Sequence, residues 1–215
     1  MRYEDVPEFE QYKYLHQEKF LQVDYLTDEP FVIFIDGKNA TKNHNKDMLG
    51  ETGYTYHLMA SVKNVLKNYT GKYHAFAICD EITIIFENGL QLKQFLNEDC
   101  QDCSLSLFTL LFYNDFKKYD DCLFKTFMYK TKSENIQEII KYRKTMGYYT
   151  TLEYFAKEYL PKDKYCNCTP EQIIANLKEV NMYENFLNAK QFHDGIEYHH
   201  NEDWLDNLLE LYIEF

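Results

Sequence analysis

Four short apolar runs, rich in β-branched and aromatic residues, predict buried or half-buried strands at 31–35, 73–78, 82–86 and 123–129. Between them, apolar residues recur every three or four positions at 51–69, 90–96 and 100–116, which predicts amphipathic helices. The main elements therefore follow the order β-α-β-β-α-β, which is typical of a ferredoxin-like α+β fold. Two helices on one face of the antiparallel sheet would leave the other face open to a substrate.

Beyond residue 130 the pattern becomes helical, with segments predicted at 133–146, 150–158 and 169–179. Ser133 is predicted to cap the first of these helices, and Thr169 followed by Pro170 to cap the third. Because no linker or repeat divides the chain, 1–215 is predicted to be one domain. It comprises a sheet core at 25–130 and a helical extension at 131–215.

Three carboxylates interrupt the apolar runs at places where burial would be costly. Asp36 ends the first run just before Gly37, and Asp80 and Glu81 separate the second run from the third. A buried carboxylate needs a partner or a metal ion, and a cluster of oxygen ligands suits Mg²⁺. The structural alternative is that Asp-Gly and Asp-Glu simply form turns. Spacing alone leaves both interpretations open.

Composition supports a folded core and excludes several classes of protein. The 215 residues are 45% hydrophobic and 17% aromatic. No apolar run reaches about 18 residues, so no transmembrane helix is expected. The acidic N-terminus lacks an apolar signal core, which favours a cytoplasmic protein. The six cysteines lack the spacing of a zinc site and are expected to be reduced thiols.

The net charge of −12 disfavours a long nucleic-acid footprint, because phosphate contacts supply much of the affinity of such proteins. A nucleotide substrate is not disfavoured. A local basic patch is predicted from the lysines of one early segment. They are Lys38, Lys42, Lys46, Lys63, Lys67 and Lys72.

Two acidic motifs, IDGKN at 35–39 and CDEIT at 79–83, resemble those of the tRNA-His guanylyltransferase family and its 3′-to-5′ polymerase relatives. That family shows Leu-Asp-Gly-Arg and a later Ser-Asp-Glu-Ile-Ser. The segment SLFTLLF at 106–112 resembles its Ser-x-Phe-Thr helix, 139–155 its Tyr-x-x-Trp-Arg-Gln region and 169–179 the helix after it. The resemblance spans about residues 30–180 and implies a polymerase-like palm followed by helices.

The resemblance also implies an activity. The family uses ATP or GTP to activate the 5′ end of a tRNA or another RNA and then adds a nucleotide, with GTP the expected donor, in the 3′-to-5′ direction. Asp36, Asp80 and Glu81 would be catalytic and, with the Gly37 carbonyl, would hold two Mg²⁺ ions. The nucleotide would contact six residues whose backbone amides can approach phosphate oxygens. This set is Gly37, Lys38, Asn39, Ala40, Thr41 and Cys79.

The expected partners are therefore nucleoside triphosphates and RNA, with no membrane. Family members tend to form dimers of dimers. An apolar stripe in the acidic tail is compatible with a homodimer or tetramer, or with packing on the core. The stripe comprises Trp204, Leu205, Leu208, Leu209 and Tyr212.

Several positions depart from the family pattern. The family has arginines at Phe34 and Lys38, an aromatic residue at Ala40, serine at Cys79 and a lysine near Asp99. The positions that handle tRNA in the family are also changed, to Lys144, Met146, Tyr148 and Thr150. The metal centre thus looks retained, whereas the RNA-contacting parts look rebuilt.

Two alternatives follow from these departures. One is a palm-type enzyme that acts on small nucleotides. The other is a non-catalytic nucleotide-binding or regulatory protein, against which the retained carboxylates argue. Tyr148 and Tyr149 could stack on a base or belong to the core. His44 and His57 could contact phosphate or lie on the surface.

Overall fold

The computed structural model describes residues 27–38, 54–96, 104–119, 122–188 and 196–199. A five-stranded antiparallel sheet organises these residues in the order β4-β1-β3-β2-β5. Its strands are β1 Phe31–Gly37, β2 Tyr73–Ile78, β3 Glu81–Phe86, β4 Phe124–Lys130 and β5 Ile196–His199. The first four strands have the ferredoxin-like order, which confirms the predicted fold class.

Strand β1 lies inside the sheet, between β4 and β3, and buries both of its faces. Phe31, Ile33 and Ile35 point into the larger core, and Val32 packs in a second core on the opposite side. This alternation follows from the two-residue period of a strand. An apolar residue at every position from 31 to 35 is therefore what a doubly covered central strand requires.

Three helices of the described residues precede β4. They are α1 Tyr54–Val65, α2 Gly89–Phe95 and α3 Ser104–Phe116. Leu58 of α1 and Phe112 of α3 belong to the larger core. The Asn88 side chain caps α2 by accepting a hydrogen bond from the Gln91 amide at 3.1 Å. The layer of helices on one sheet face agrees with the prediction.

The opposite face is not wholly open, contrary to the prediction. Helix α4, Ile136–Tyr159, crosses it and contributes Ile139, Ile140 and Met146 to the second core. That core also contains Val32 and Ile85, which are paired across β1 and β3. Among the described residues, α4 therefore covers this face around Val32 and Ile85, away from the Asp36 end of β1.

Helix α4 replaces the two helices predicted at 133–146 and 150–158, and the prediction of a break was wrong. Gly147 lies inside the helix against Ile78, whose Cδ1 would be 2.1 Å from an added Cβ. The glycine therefore permits close packing and does not end the helix. The predicted Ser133 cap was also wrong, because Ser133–Asn135 forms a 3-10 turn and α4 begins after it.

The remaining helices form a third core. A 3-10 turn at Lys162–Lys164 leads to α5 Pro170–Glu179 and α6 Tyr183–Asn188. The predicted Thr169 cap is confirmed, since Thr169 and Gln172 exchange side-chain to backbone hydrogen bonds of 3.4 and 2.9 Å. The third core includes Leu152, Phe155, Ile173, Leu177 and Phe186.

The extension predicted as helical returns to the sheet, because β5 pairs with β2. The proposed division at residue 130 remains a prediction. Across the ranges given above, no helix is long and apolar enough to cross a membrane. The stripe that begins at Trp204 lies outside those ranges.

Candidate active site

Asp36 and Glu81 face each other across β1 and β3, where they are direct register partners. Their side chains are 24% and 34% exposed. Residues directly opposite in an antiparallel pair lie on the same sheet face. Phe34 and Thr83, two positions away on each strand, share this face, which α4 crosses. The sheet therefore brings two of the three predicted carboxylates together.

Asp80 completes the group from the turn between β2 and β3. The Gly37 amide donates a 2.9 Å hydrogen bond to the Asp80 carbonyl, which fixes this turn against the end of β1. Burial, followed by the negative charges of Glu81 and Asp36, raises the pKa of Asp80 from 3.8 to about 7. The register of Asp36 with Glu81 and the Gly37–Asp80 hydrogen bond place the three residues at the same end of the sheet.

Lys125 of β4 is paired with one of these carboxylates. Its Nζ lies 3.3 Å from Asp36 Oδ2, and the two residues are register partners across β1 and β4. The strand pairing itself thus places the ammonium beside the carboxylate. The sequence analysis did not single out Lys125, because the pairing of β1 with β4 is not visible as a local pattern.

Arg143 of α4 forms an ion pair with Glu81. Its guanidinium lies over the Phe34 ring at 4.7 Å, and its side chain is only 11% exposed. Burial opposes the charged form, but Glu81 outweighs it and raises the pKa of Arg143. The Nε atom is buried and has no hydrogen-bond partner among the described residues.

The sequence analysis included Arg143 in the segment 139–155 but assigned it no role. A signal was present, because this arginine lies at helical spacing from Ile139, Ile140 and Met146. These three side chains are buried. A cation in the middle of an apolar stripe calls for an anionic partner.

Cys79 has a left-handed backbone with φ of 51°, which L-residues other than Asn and Asp rarely adopt. Its side chain is 3% exposed, and its Sγ lies 3.9 Å from Thr151 Oγ1 of α4. Burial raises the pKa of the thiol. The Thr55 hydroxyl donates to the Cys79 carbonyl at 3.0 Å. Cys79 therefore shapes the turn that carries Asp80, and its thiol faces the protein interior.

The segment predicted to cradle a triphosphate is described only at its start. The Gly37 amide donates to the Asp80 carbonyl, and the Lys38 amide donates to the Leu123 carbonyl at 2.7 Å. Both hydrogens are thus used within the fold. Asn39, Ala40 and Thr41 lie outside the described ranges, as do Asp99 and His44.

The carboxylates at the site could supply some of the oxygen ligands that Mg²⁺ needs. Within residues 27–38, 54–96, 104–119 and 122–188, no three His, Cys, Asp or Glu side chains are arranged to hold a metal ion. Glu81 is already engaged by Arg143. Mg²⁺ commonly takes one or two carboxylates and keeps several waters. Asp36 and Asp80 fit that need, since a bound cation would relieve their mutual repulsion.

The described lysines of the early segment do not gather at this site. Lys63 lies in the last turn of α1, and the Lys72 carbonyl accepts from the Glu87 amide just beyond β3. That end of the sheet is one strand length from Asp36, or about 20 Å. Lys38 is therefore separated from the later lysines, and Lys42 and Lys46 lie outside the described ranges.

The tyrosines considered for base stacking belong to the third core. The Tyr148 ring contacts Tyr149 at 5.1 Å and Phe186 at 5.3 Å. Burial raises the pKa of Tyr148 to about 12. His57 stacks on Tyr119 at 4.6 Å. These contacts favour the structural interpretation for both aromatic groups.

Comparisons with known proteins support the fold. No protein-family model matches the chain, and no curated protein matches it. A bacterial tRNA(His) guanylyltransferase-like protein in complex with ATP matches with a TM-score of 0.63 and 16% identity, covering 88% of this chain and 87% of that one. The tRNA(His) guanylyltransferase of Saccharomyces cerevisiae matches with a TM-score of 0.61 and 17% identity, covering 84% and 90%. The chain therefore has the fold of these guanylyltransferase structures, and the resemblance drawn from its motifs is confirmed at the level of fold.

Proposed function

We propose that the chain is a magnesium-dependent nucleotidyltransferase that adds a nucleotide to the 5′ end of a tRNA or another RNA in the 3′-to-5′ direction. GTP is the proposed donor, after activation of the 5′ end by ATP or GTP. The observation that carries the proposal is the meeting of Asp36, Asp80 and Glu81 at one end of a palm-like sheet.

The proposed roles follow from the position of each carboxylate. Asp36 and Asp80, with the Gly37 carbonyl, would hold Mg²⁺, which supplies charge stabilisation for phosphoryl transfer. Glu81 is held by Arg143 and is proposed to orient the site electrostatically. Lys38 is exposed at the end of β1, where its ammonium can approach phosphate oxygens.

A second candidate is a palm-type enzyme whose acceptor is a small nucleotide. Two observations favour it. Lys72 lies at the far end of the sheet from Asp36, and Met146 is buried in the second core and is not available to an RNA. With a net charge of −12, these features leave little basic surface for a long polyanion.

The test is incorporation of radiolabelled GTP into a 5′-monophosphorylated tRNA transcript in the presence of ATP and Mg²⁺. A parallel reaction replaces the transcript with GMP. We expect labelled product from the parent chain and a loss of at least about 100-fold in Asp36→Asn and Asp80→Asn, because each removes a carboxylate proposed to hold the Mg²⁺ that stabilises the transition state. Asp163→Asn, at an exposed position, is the matched control.

The outcomes separate the candidates. Label in the transcript supports addition to RNA, and label in the GMP reaction alone supports the small-nucleotide enzyme. If the parent turns over neither acceptor and binds no nucleotide by calorimetry, both enzymatic proposals are wrong. An oligomeric state and a cytoplasmic location stay predictions.

A further inference from the structure

Two of the three site carboxylates are already neutralised by cations of the chain itself. Lys125 Nζ lies 3.3 Å from Asp36 Oδ2, and Arg143 is paired with Glu81. The two cations come from different elements, β4 and α4. With every group ionised, three negative and two positive charges leave one net negative charge, which a single divalent ion would more than compensate.

The Lys125 pair is set by the sheet and not by a chance meeting of flexible side chains. Asp36 and Lys125 are opposite each other in a register that runs without interruption from Phe31↔Lys130 to Gly37↔Phe124. The side chains of such partners lie on the same face within contact distance. Lys125 is 56% exposed and its stem is flexible, but the register keeps its Cα opposite Asp36, so its ammonium is always within reach of that carboxylate.

An ammonium and a second metal ion compete for the same oxygens. Paired Mg²⁺ ions stand about 3.5–4 Å apart in two-metal sites, and the carboxylates between them must face both ions. An ammonium has three donors and no lone pair, so it can occupy a carboxylate oxygen but cannot ligate a metal. Glu81 offers no easy substitute while Arg143 holds it.

We propose that the Lys125 ammonium takes the place of one of the two divalent cations at Asp36, so that this chain binds a single metal ion together with its nucleotide. This inference rests on the proposed function, because it assumes that Asp36 and Asp80 hold a metal at all. The remaining donors of the Lys125 ammonium then face the bound nucleotide, where they can contact an anionic oxygen. Lys125 is thus a charge-compensating residue of the site.

The experiment counts Mn²⁺ ions per chain by electron paramagnetic resonance, with a saturating non-hydrolysable GTP analogue. We expect one ion in the parent and two in Lys125→Met, because the oxygen at Asp36 is freed and the repulsion is removed. Lys125→Arg, which keeps the charge, should bind one. The control is Lys130→Met on the same strand, whose lysine pairs with Glu29 at 3.1 Å at the other end of β4. It should also bind one ion.

Each result of the Mn²⁺ count leads to a different conclusion. Two ions in the parent, or one ion in both the parent and Lys125→Met, overturns the inference while the proposed function stands. A second ion gained equally by Lys130→Met also overturns it, because the effect would then reflect net charge alone. Absence of Mn²⁺ in every variant that binds the analogue overturns the metal-dependent function itself.

Discussion

At the scale of single residues, the surroundings of Asp80 destabilise the charged form of its carboxylate. It sits in the turn after the left-handed Cys79, and burial and two neighbouring carboxylates raise its pKa from 3.8 to about 7. The unfolded chain has no such environment. Between about pH 4 and pH 7 the folded chain therefore keeps a proton that the unfolded chain has lost.

The first prediction follows from the sign of this difference. Because the folded state binds more protons in that window, the contribution of Asp80 to the free energy of unfolding falls as the pH rises from 4 to 7. Without metal, Asp80→Asn should remove this fall and exceed the parent in stability by up to about 4 kcal/mol at pH 8. Urea unfolding at pH 5 and pH 8 measures it. Parallel pH profiles of Asp80→Asn, the parent and the control Asp163→Asn would contradict the prediction.

At the scale of secondary-structure elements, α4 links the second sheet face to the site. Along one helix, Ile139 packs in the second core, Arg143 pairs with Glu81 and Thr151 contacts the Cys79 thiol. Gly147 lets the helix approach β2, since an added Cβ would stand 2.1 Å from Ile78 Cδ1. The position of Arg143 therefore depends on this close contact.

The second prediction concerns that contact. Gly147→Ala should lower the free energy of unfolding by about 1 kcal/mol, because overpacking against Ile78 outweighs the better helix propensity of alanine. The double variant Gly147→Ala/Ile78→Val, which removes the Cδ1 atom, should recover most of the loss. Thermal unfolding followed by circular dichroism measures both. A more stable Gly147→Ala would show that helix propensity dominates and that the contact is loose.

Much of the sheet could be predicted from the sequence, because its strands are local apolar runs and its connectivity follows from element order. Asp36, Asp80 and Glu81 could also be found, since charges inside such runs are locally visible. The rest is non-local. Gly147 can be recognised as a packing residue only when its contact with Ile78 is known. Strand β5 forms because β2 offers a free edge with which it pairs. Lys125 can be recognised as a site residue only when its register partner on β1, Asp36, is known.

At the scale of the whole molecule, charge limits the kind of acceptor. The net charge is −12, and two cations at the site, Lys125 and Arg143, are engaged by carboxylates. Lys72 lies beyond the far end of β2. An RNA acceptor would therefore be held mainly at its reacting end, with few contacts along its backbone.

The third prediction is a weak salt dependence of RNA binding. If only one or two phosphates are neutralised, the affinity for a 3′-labelled tRNA should fall by about tenfold or less between 50 and 200 mM KCl, against about 10³-fold or more for a protein with six or more phosphate contacts. Fluorescence anisotropy with a non-hydrolysable GTP analogue present measures it. A steep loss of affinity would contradict the prediction and show that more phosphates are contacted.

The strand order has a consequence for synthesis of the chain. The central strand β1 leaves the ribosome before either of its neighbours, β3 and β4, exists. Roughly 90 more residues must be added before β4 is complete, which takes on the order of 5–20 s at ordinary rates of translation. For about the first half of this interval, until β3 is complete, five consecutive residues that the finished fold buries completely or almost completely have no strand to pair with. The nascent chain must therefore be shielded at Phe31–Gly37, and a chaperone that recognises extended apolar segments would be expected to bind there first.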